Sequence, residues 1–210
     1  MRILTVSPDL YGRHPSFLKQ MFRLRAAVFG GRLEWDVSVT AGEERDRYDD
    51  FKPTYVLAVN EPGMVAGCAR LLPASGPTML KYIFPELLEK GSLNPHPEMV
   101  ESSRFCVDTS QTAGREGGQL HLVTRTLFAG IIEWSMANGY SEIVTATDLR
   151  FERILKRAGW PMRRLGEPAA IGDTMAVAGS LPADRERFEQ VCPPGYRSII
   201  SDGAPIRSAA

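Results

Sequence analysis

A long helix with one apolar face stands between two strand-like segments in the middle of the chain, and this order limits the folds open to it. Strands are predicted for residues 99–107 and 141–147, and a helix for residues 116–138 between them. The helix is recognised by apolar residues recurring at intervals of three and four, namely Leu120, Val123, Leu127, Ile131 and Trp134. A strand, a helix and a strand in succession predict a βαβ unit, and therefore a parallel strand pair within a mixed sheet.

The remaining segments predict an α/β (α+β) fold, with a mixed twisted sheet and flanking helices. Other predicted elements are a strand at 2–6, a helix capped by Ser16, a hairpin of 55–59 and 64–72, a helix near 84–90, a helix over 148–158 and a strand around 174–178. Residues 1–192 are predicted to form a single domain. Residues 193–210 are predicted to be a loosely held tail, because they lack a clear pattern.

Charge and cysteine content exclude several classes of protein. The 25 basic and 25 acidic residues cancel, so no net charge favours nucleic acid or an anionic membrane as a partner. The apolar stretch 127–137 is interrupted by Gly130 and Glu133, and the first residues are too short an apolar run for a secretion signal. Three cysteines without CxxC spacing and scattered histidines suggest no metal site and no cofactor. We therefore expect a cytoplasmic protein with neither nucleic acid nor membrane as partner.

The stretch ESSRFCVD, residues 101–108, has the pattern of a strand but carries two ionisable side chains. Strict alternation would place Glu101 with Ser103 and Phe105 on one face and Arg104 on the other. Core strands usually exclude such groups. If both side chains face one site, alternation must fail between them, so we predict a β-bulge near residues 102–103.

Three arginines, Arg25, Arg70 and Arg104, occur where apolar residues dominate. An acidic run lies between residues 43 and 50 and contains Glu43, Glu44, Asp46, Asp49 and Asp50. Burial of a guanidinium requires acidic partners, so one interpretation is that this run folds back over the arginines. The alternative is that the arginines lie at surface ends of elements and that the acidic run is a solvated loop.

Two aromatic residues, Phe29 and Trp35, flank the acidic run and favour the first interpretation. Aromatic faces beside carboxylates form a good site for a small cationic ligand. An ordinary place in the hydrophobic core remains the alternative for Trp35.

Four motifs carry a family resemblance, which extends through the later run IVTATDLRFERILKRAGWPMRRLG and so covers most of the chain. They are RLRAAVFGGRLEWDV, GEERDRYDDF, GCARLLPASGPTML and ESSRFCVD. Together they resemble the LuxI-type acyl-homoserine lactone synthases, the autoinducer synthases of quorum sensing. Within that family the sequence is most similar to the synthases of rhizobial conjugative plasmids.

The resemblance implies a fold similar to the GCN5-related N-acetyltransferases, with a cleft between splayed parallel strands. It implies transfer of an acyl chain from acyl-carrier protein to S-adenosylmethionine, a substrate rather than a cofactor, followed by lactone closure and release of methylthioadenosine. The signature positions of the family fall on Arg25, Phe29, Trp35, Asp46, Asp49, Arg70, Glu101 and Arg104.

The resemblance also suggests roles for these residues. Glu101 is predicted to be the general base, acting directly or through a water, because desolvation on its strand would make the carboxylate more basic. Arg104 and Ser103 complete the predicted catalytic set, since a disrupted strand there could offer a backbone N–H to the oxyanion. Phe29, Trp35 and Phe105 are predicted to contact substrate. The remaining signature residues, Arg25, Asp46, Asp49 and Arg70, are predicted to hold the acidic segment and orient the amino-acid part of the substrate.

The acyl donor and acyl chain are predicted from three further features. The loop GREGGQLH, residues 114–121, only partly matches the pyrophosphate loop of acetyltransferases, which weakens an acyl-CoA interpretation. A basic segment is predicted to dock the acidic carrier protein, although a solvated helix face is the simpler interpretation; its residues are Arg150, Arg153, Lys156 and Arg157. Thr145 and Thr147 share one strand face and are both predicted to bind substrate, although threonines are common in strands anyway.

By resemblance, Thr145 lies near the acyl chain and could bind a 3-oxo group, so a 3-oxo-octanoyl product is expected. The alternatives are an acyl-CoA-dependent N-acyltransferase of the same fold and a non-catalytic, acetyltransferase-like regulator.

Overall fold

The computed structural model describes residues 1–32, 37–109 and 118–200, with side chains described except at 32 and 118–121. The described chain forms two compact units. The first comprises Met1–Arg70, Arg104–Ile131 and residues 192–200. The second comprises Leu71–Ser103 and Ile132–Val191.

The strands are β1 (Arg2–Val6), β2 (Val39–Thr40), β3 (Glu43–Glu44), β4 (Thr54–Val59), β5 (Val65–Pro73), β6 (Met99–Val107), β7 (Glu142–Asp148), β8 (Arg163–Arg164), β9 (Ala169–Ile171), β10 (Thr174–Pro182) and β11 (Ser198–Ile199). The helices are α1 (Pro15–Arg25), α2 (Met79–Tyr82), α3 (Gly118–Ala137), α4 (Leu149–Arg157) and α5 (Arg185–Val191). Short 3₁₀ turns cover Pro8–Arg13, Arg47–Asp49 and Pro85–Leu87, and a π-helical turn, Ala26–Arg32, follows α1.

In the first unit, β1 pairs antiparallel with β4 on one side and parallel with β11 on the other. The helix α1 buries Met21 and Phe22 in a cluster with Val6 and Leu57 of these strands. Close contact between α3 and β1 depends on Gly130, because a Cβ at that position would lie 2.8 Å from the side chain of Ile3.

In the second unit, β6 and β7 run parallel, with Met99 opposite Glu142 and Glu101 opposite Val144. Because α3 joins β6 to β7 along the chain, the predicted βαβ unit is confirmed. The register with β6 ends at Val144, whereas β7 stays paired with β10 as far as Asp148. An early end to the pairing is expected where two parallel strands splay apart. The edge strands β8 and β9 both pair with β10.

The predicted element bounds fail in several places. Where a helix was predicted near 84–90, the structure has only the 3₁₀ turn Pro85–Leu87. The single turn of α2 lies just before it, because Thr78 caps α2 and because Pro85 disfavours helix at the residue that precedes it. The predicted cap of α1 is also wrong, since that helix begins at Pro15 and its N-cap position is His14. The helix α5 has seven residues, too few for a clear apolar period, and was not predicted.

Two residues assigned to the loosely held tail, Ser198 and Ile199, instead form β11. Within the described ranges, no helix combines the length and apolar content that crossing a lipid bilayer requires.

Candidate active site

The strand β6 carries a backbone irregularity between its two ionisable residues. Its ends are fixed on β5 by hydrogen bonds from Ala74 N to Met99 O (2.9 Å) and from Asp108 N to Ala66 O (2.8 Å). Between these bonds β6 advances one residue more than β5. Arg104 has a φ of 52°, in the left-handed region that a non-glycine residue rarely adopts. The predicted β-bulge is therefore present, with the irregular residue one position beyond the expected place.

A buried ion-pair network in the first unit begins at Arg25, which lies at the end of α1 and is 0% exposed. Its Nε donates to Glu44 Oε2 at 2.5 Å. Its Nη1 and Nη2 donate to Asp49 Oδ1 and Oδ2 at 2.8 and 2.9 Å, the bidentate geometry that makes arginine–carboxylate pairs strong. Two carboxylates therefore compensate this guanidinium.

The other two arginines extend the network. Arg70 Nη1 lies 2.5 Å from Asp46 Oδ1 and 3.0 Å from Asp49 Oδ1. Arg104 Nε lies 3.1 Å from Glu44 Oε1. Arg104 Nη2 lies 2.7 Å from Asp46 Oδ2; this second contact is an ion pair, but its angles are not those of a hydrogen bond. Three guanidiniums thus alternate with three carboxylates, and their formal charges balance.

The acidic segment orders itself locally so that its carboxylates point inward. Asp46 caps the 3₁₀ turn by accepting from Tyr48 N at 2.8 Å, and Asp46 N donates to Asp49 Oδ2 at 2.9 Å. This reciprocal pattern is a capping box, here in an Asp-x-x-Asp sequence. Tyr55 adds a hydrogen bond from its hydroxyl to Asp49 Oδ1 at 2.9 Å. The interpretation of a solvated acidic loop is therefore wrong.

Electrostatics keep the network charged. Burial by itself would raise the pKa of Asp49, but hydrogen bonds and charge from Arg25, together with the charge of Arg70, hold that pKa well below its ordinary value. Burial acts against the charged form of Arg25, yet Asp49 and Glu44 outweigh it and raise the pKa of Arg25. Asp49 and its two arginine partners, Arg25 and Arg70, therefore stay charged at neutral pH.

Sequence reasoning missed Glu44 as a member of this network. Its carboxylate is fully buried and bridges Arg25 and Arg104, whereas Asp50 in the same acidic run is exposed. A signal was available, because Glu44 and Asp46 are two apart and lie on the same side of an extended chain.

Three aromatic residues were predicted to contact substrate, and one of them, Trp35, lies outside the described residues. Phe29 is 2% exposed, and the Arg104 guanidinium lies 5.4 Å from its ring centroid. The Phe29 ring thus lies beside Arg104, and direct contact with substrate stays a prediction. Phe105 packs against Phe128 with ring centroids 5.5 Å apart, and the neighbouring Ser103 is half-buried.

In the second unit, Glu101 is 1% exposed and its carboxylate is held by the backbone of α2. Met79 N donates to Oε2 at 3.1 Å and Leu80 N donates to Oε1 at 2.7 Å. These amides belong to the first turn of the helix, where N–H groups have no partner within the helix. Each oxygen of the carboxylate therefore has a backbone donor, and the two bonds fix the orientation of the side chain.

The two threonines of β7 are half-buried in the second unit. Thr145 lies opposite Gly179 of β10, and Thr147 lies opposite Val177. Among the described residues, the hydroxyl of Thr145 has one hydrogen-bond partner, Ala146 O, at the long distance of 3.4 Å. That bond is weak enough for a ligand acceptor to replace it.

The helix α4 presents a basic surface. Asp148 caps its N-terminus by accepting from Phe151 N at 2.6 Å, and Leu155 is its buried contact. Its one acidic residue, Glu152, is engaged by Arg164 in two hydrogen bonds of 2.7 and 2.8 Å. In the part of the chain that the structure describes, no ion pair compensates its four exposed cations, Arg150, Arg153, Lys156 and Arg157.

The loop 114–121 was compared above with the pyrophosphate loop of acetyltransferases. Its residues 114–117 lie outside the described part of the chain, and of 118–121 only the backbone is described, as the start of α3. It therefore adds nothing to the choice of acyl donor.

Comparison with known proteins identifies the family. The family profile for autoinducer synthases matches residues 9–191. An acyl-homoserine-lactone synthase of Agrobacterium fabrum (strain C58) is 75% identical over 211 residues, covering 100% of each chain. This match contradicts the alternative of a non-catalytic regulator.

Several solved structures have a fold similar to that of this chain. The structure of the synthase LasI has a TM-score of 0.80 and 30% identity, covering 90% of this chain and 93% of that one. The CoA-dependent synthase BjaI, solved with SAM and isopentyl-CoA, has a TM-score of 0.81 at 24% identity, covering 94% and 93%. An N-acetyltransferase from Lactobacillus plantarum, with a TM-score of 0.58 at 16% identity over 88% and 100%, confirms the predicted acetyltransferase-like architecture. The chain belongs to the autoinducer synthase family: it is an acyl-homoserine-lactone synthase, and hence an acyltransferase.

Proposed function

We propose that this synthase takes its acyl chain, 3-oxo-octanoyl, from acyl-carrier protein and transfers it to the amine of S-adenosylmethionine. The carboxylate of the acylated product then displaces methylthioadenosine and closes the lactone. S-adenosylmethionine is a substrate in this scheme, and no cofactor takes part. The observation that carries the choice of donor is the uncompensated basic surface of α4.

Complementary charge favours a protein donor over a small one. Carrier proteins are acidic, and opposite charge speeds the encounter of two proteins and fixes their orientation. Glu152 is held by two hydrogen bonds to Arg164, and within the described residues no ion pair engages the four exposed cations of α4, so they are available to an acidic partner. A CoA thioester would engage such a surface through its phosphates alone. The CoA dependence stated for BjaI belongs to a protein that shares the fold at 24% identity.

The acyl transfer step requires a base. The α-ammonium of the substrate has a pKa of roughly 8, so a proton must leave before its nitrogen attacks the thioester carbon. We assign this proton to Glu101, directly or through one water, since its carboxylate is buried and both its oxygens are oriented by backbone amides. Collapse of the oxyanion then breaks the carbon–sulfur bond, and the second proton lost by the nitrogen goes to the departing thiolate, which leaves as the carrier thiol.

Lactone closure needs positioning more than acid or base. The sulfonium is already a good leaving group, so the main requirement is a carboxylate oxygen placed behind the γ-carbon. We assign this orientation to the segment that the network of Arg25, Arg70 and Arg104 holds rigid. Trp35, Phe29 and Phe105 are proposed to line the adenosyl and sulfonium part, and Ser103 and Arg104 to stabilise the oxyanion.

Reversing charge on α4 should weaken use of the carrier protein. In Lys156→Glu/Arg157→Glu we expect KM for the acyl-carrier protein to rise about ten-fold at low salt, with KM for S-adenosylmethionine unchanged. Steady-state kinetics with each substrate varied in turn measure both constants.

A matched control reverses two exposed cations on another helix. Lys19→Glu/Arg23→Glu changes the net charge by the same amount on α1, where both side chains are exposed, and should leave both KM values within about two-fold. Equal effects of the two double variants, or an unchanged KM in the α4 variant, would count against docking on α4.

The hydroxyl of Thr145 should select for a 3-oxo group. We expect Thr145→Val, which keeps the shape and removes the donor, to lower the preference for 3-oxo over unsubstituted chains by about five- to ten-fold. Competition between the two acyl-carrier proteins, with products separated by mass, gives the ratio. Thr147→Val serves as the comparison on the same strand face, and an unaltered product ratio in Thr145→Val removes the proposed role.

The donor itself is tested by offering the purified protein S-adenosylmethionine with either 3-oxo-octanoyl-carrier protein or 3-oxo-octanoyl-CoA. We expect kcat/KM at least about a hundred-fold higher with the carrier protein. Comparable or better use of the CoA thioester would establish the alternative donor.

A further inference from the structure

The turn that holds Glu101 is built on one buried hydroxyl. Thr78 immediately precedes α2, is 0% exposed and has an extended backbone with φ −135° and ψ 158°. Its Oγ1 accepts a hydrogen bond from Lys81 N at 3.3 Å. This is the geometry of an N-cap residue, which compensates an amide that the helix itself leaves without a partner.

The amides of the first turn of α2 are divided between two side chains. Met79 N and Leu80 N donate to Glu101, and Lys81 N donates to Thr78. The Glu101 carboxylate can occupy its observed position only while this turn is formed. A single helical turn is not stable in isolation, because helix nucleation is unfavourable. The cap and the residues packed around this turn therefore decide whether it forms.

The chain before α2 is fixed in the same way. Gly76 N donates to Pro73 O at 3.0 Å, closing a tight turn. Lys81 Nζ reaches back to Gly76 O at 3.0 Å and Ser75 O at 3.4 Å. These bonds fix the segment 73–81, and with it the direction in which Met79 N and Leu80 N point toward Glu101.

We infer that Thr78 is a positioning residue for catalysis: its hydroxyl fixes the first turn of α2, and the amides of that turn fix the Glu101 carboxylate. The inference rests on the proposed role of Glu101 as base. Loss of the hydroxyl leaves Lys81 N without its acceptor and lets the turn shift. A displacement of about an ångström at a catalytic group is enough to lower the rate substantially.

Thr78→Val tests this inference, because valine keeps the β-branched shape and lacks the acceptor. We expect kcat to fall about ten-fold, with KM for both substrates within about two-fold of the parent. We also expect the acid limb of the kcat profile to move to higher pH, since displaced amides no longer favour the ionised carboxylate. Thr78→Ser, which retains the hydroxyl, should restore kcat to within about two-fold.

The outcomes separate a positioning role from a merely structural one. An unchanged kcat in folded Thr78→Val, or a lower kcat with an unshifted pH profile, overturns the inference. Should Thr78→Val fail to fold, Thr78→Gly gives the same test, because glycine is tolerated at N-cap positions. Activity in Glu101→Gln would refute the proposed base, whereas an inactive Glu101→Gln beside a normal Thr78→Val would refute only the inference about Thr78.

Discussion

Replacing Glu101 by glutamine should lower kcat at least about a hundred-fold while leaving KM for S-adenosylmethionine nearly unchanged. Removal of a positioned general base typically slows a reaction by roughly 10²- to 10⁴-fold, and the carboxamide cannot accept the ammonium proton. Steady-state kinetics with saturating acyl-carrier protein measure the effect. Glu98→Gln is the matched control, since Glu98 is exposed and bonds to Ser141, and its kcat should match that of the parent protein.

The same substitution should also affect stability. Each carboxylate oxygen accepts a hydrogen bond from a backbone amide. The NH₂ group of glutamine is a donor and would therefore face another donor, either Met79 N or Leu80 N. A buried donor without an acceptor costs about 1–3 kcal/mol, and activity should therefore be measured well below the unfolding midpoint. Retention of more than a tenth of the parental kcat by folded Glu101→Gln would contradict the assignment.

Replacing Asp49 by alanine should reduce the free energy of unfolding by about 3–5 kcal/mol, because removal of one partner from a buried ion pair leaves charge poorly compensated. Arg25 and Arg70 both bind this carboxylate, and Tyr55 donates to it. Urea unfolding at pH 7 gives the change. At that pH the contribution of Asp49 is fully present, since its folded-state pKa is depressed and the stabilisation is lost only as pH falls below about 4.

An exposed ion pair provides the control for Asp49. Glu43 lies in the same acidic run and pairs with Arg45 at 3.0 Å, but the Arg45 side chain is 59% exposed. Exposed pairs contribute between about 0 and 1 kcal/mol, so Glu43→Ala should change the unfolding free energy by less than about 1 kcal/mol. A similarly small change in Asp49→Ala would show that the network does not hold the acidic segment.

The sequence predicted long elements well and short ones poorly. The strand β6 was predicted within its observed bounds, since period-two apolar residues and flanking turn residues mark it clearly. The helix α3 was predicted within two residues because its apolar period runs for 20 residues. By contrast, α2 is one turn, and its position depends on the cap at Thr78 and on the bond to Glu101, a contact that spans more than 20 positions in the chain.

Part of the candidate site could be predicted for a physical reason. Arginines in apolar surroundings require carboxylates, so the pairing of Arg70 and Arg104 with the acidic run was predictable. Which carboxylates turn inward is set by the ribbon of β2 and β3 and by the capping box, and of this the sequence shows only the two-residue spacing of Glu44 and Asp46. The partners of Glu101 are backbone amides, which every non-proline residue carries, so the sequence contains no signal for them.

The most direct measurement follows the nitrogen of the substrate. The purified protein is supplied with S-adenosylmethionine labelled with ¹⁵N at its amine and with 3-oxo-octanoyl-carrier protein, and the products are analysed by mass spectrometry. We predict an acyl-homoserine lactone that carries the label in its amide, together with an equal amount of methylthioadenosine. Unlabelled acyl product, or free acid released without methylthioadenosine, would contradict the account.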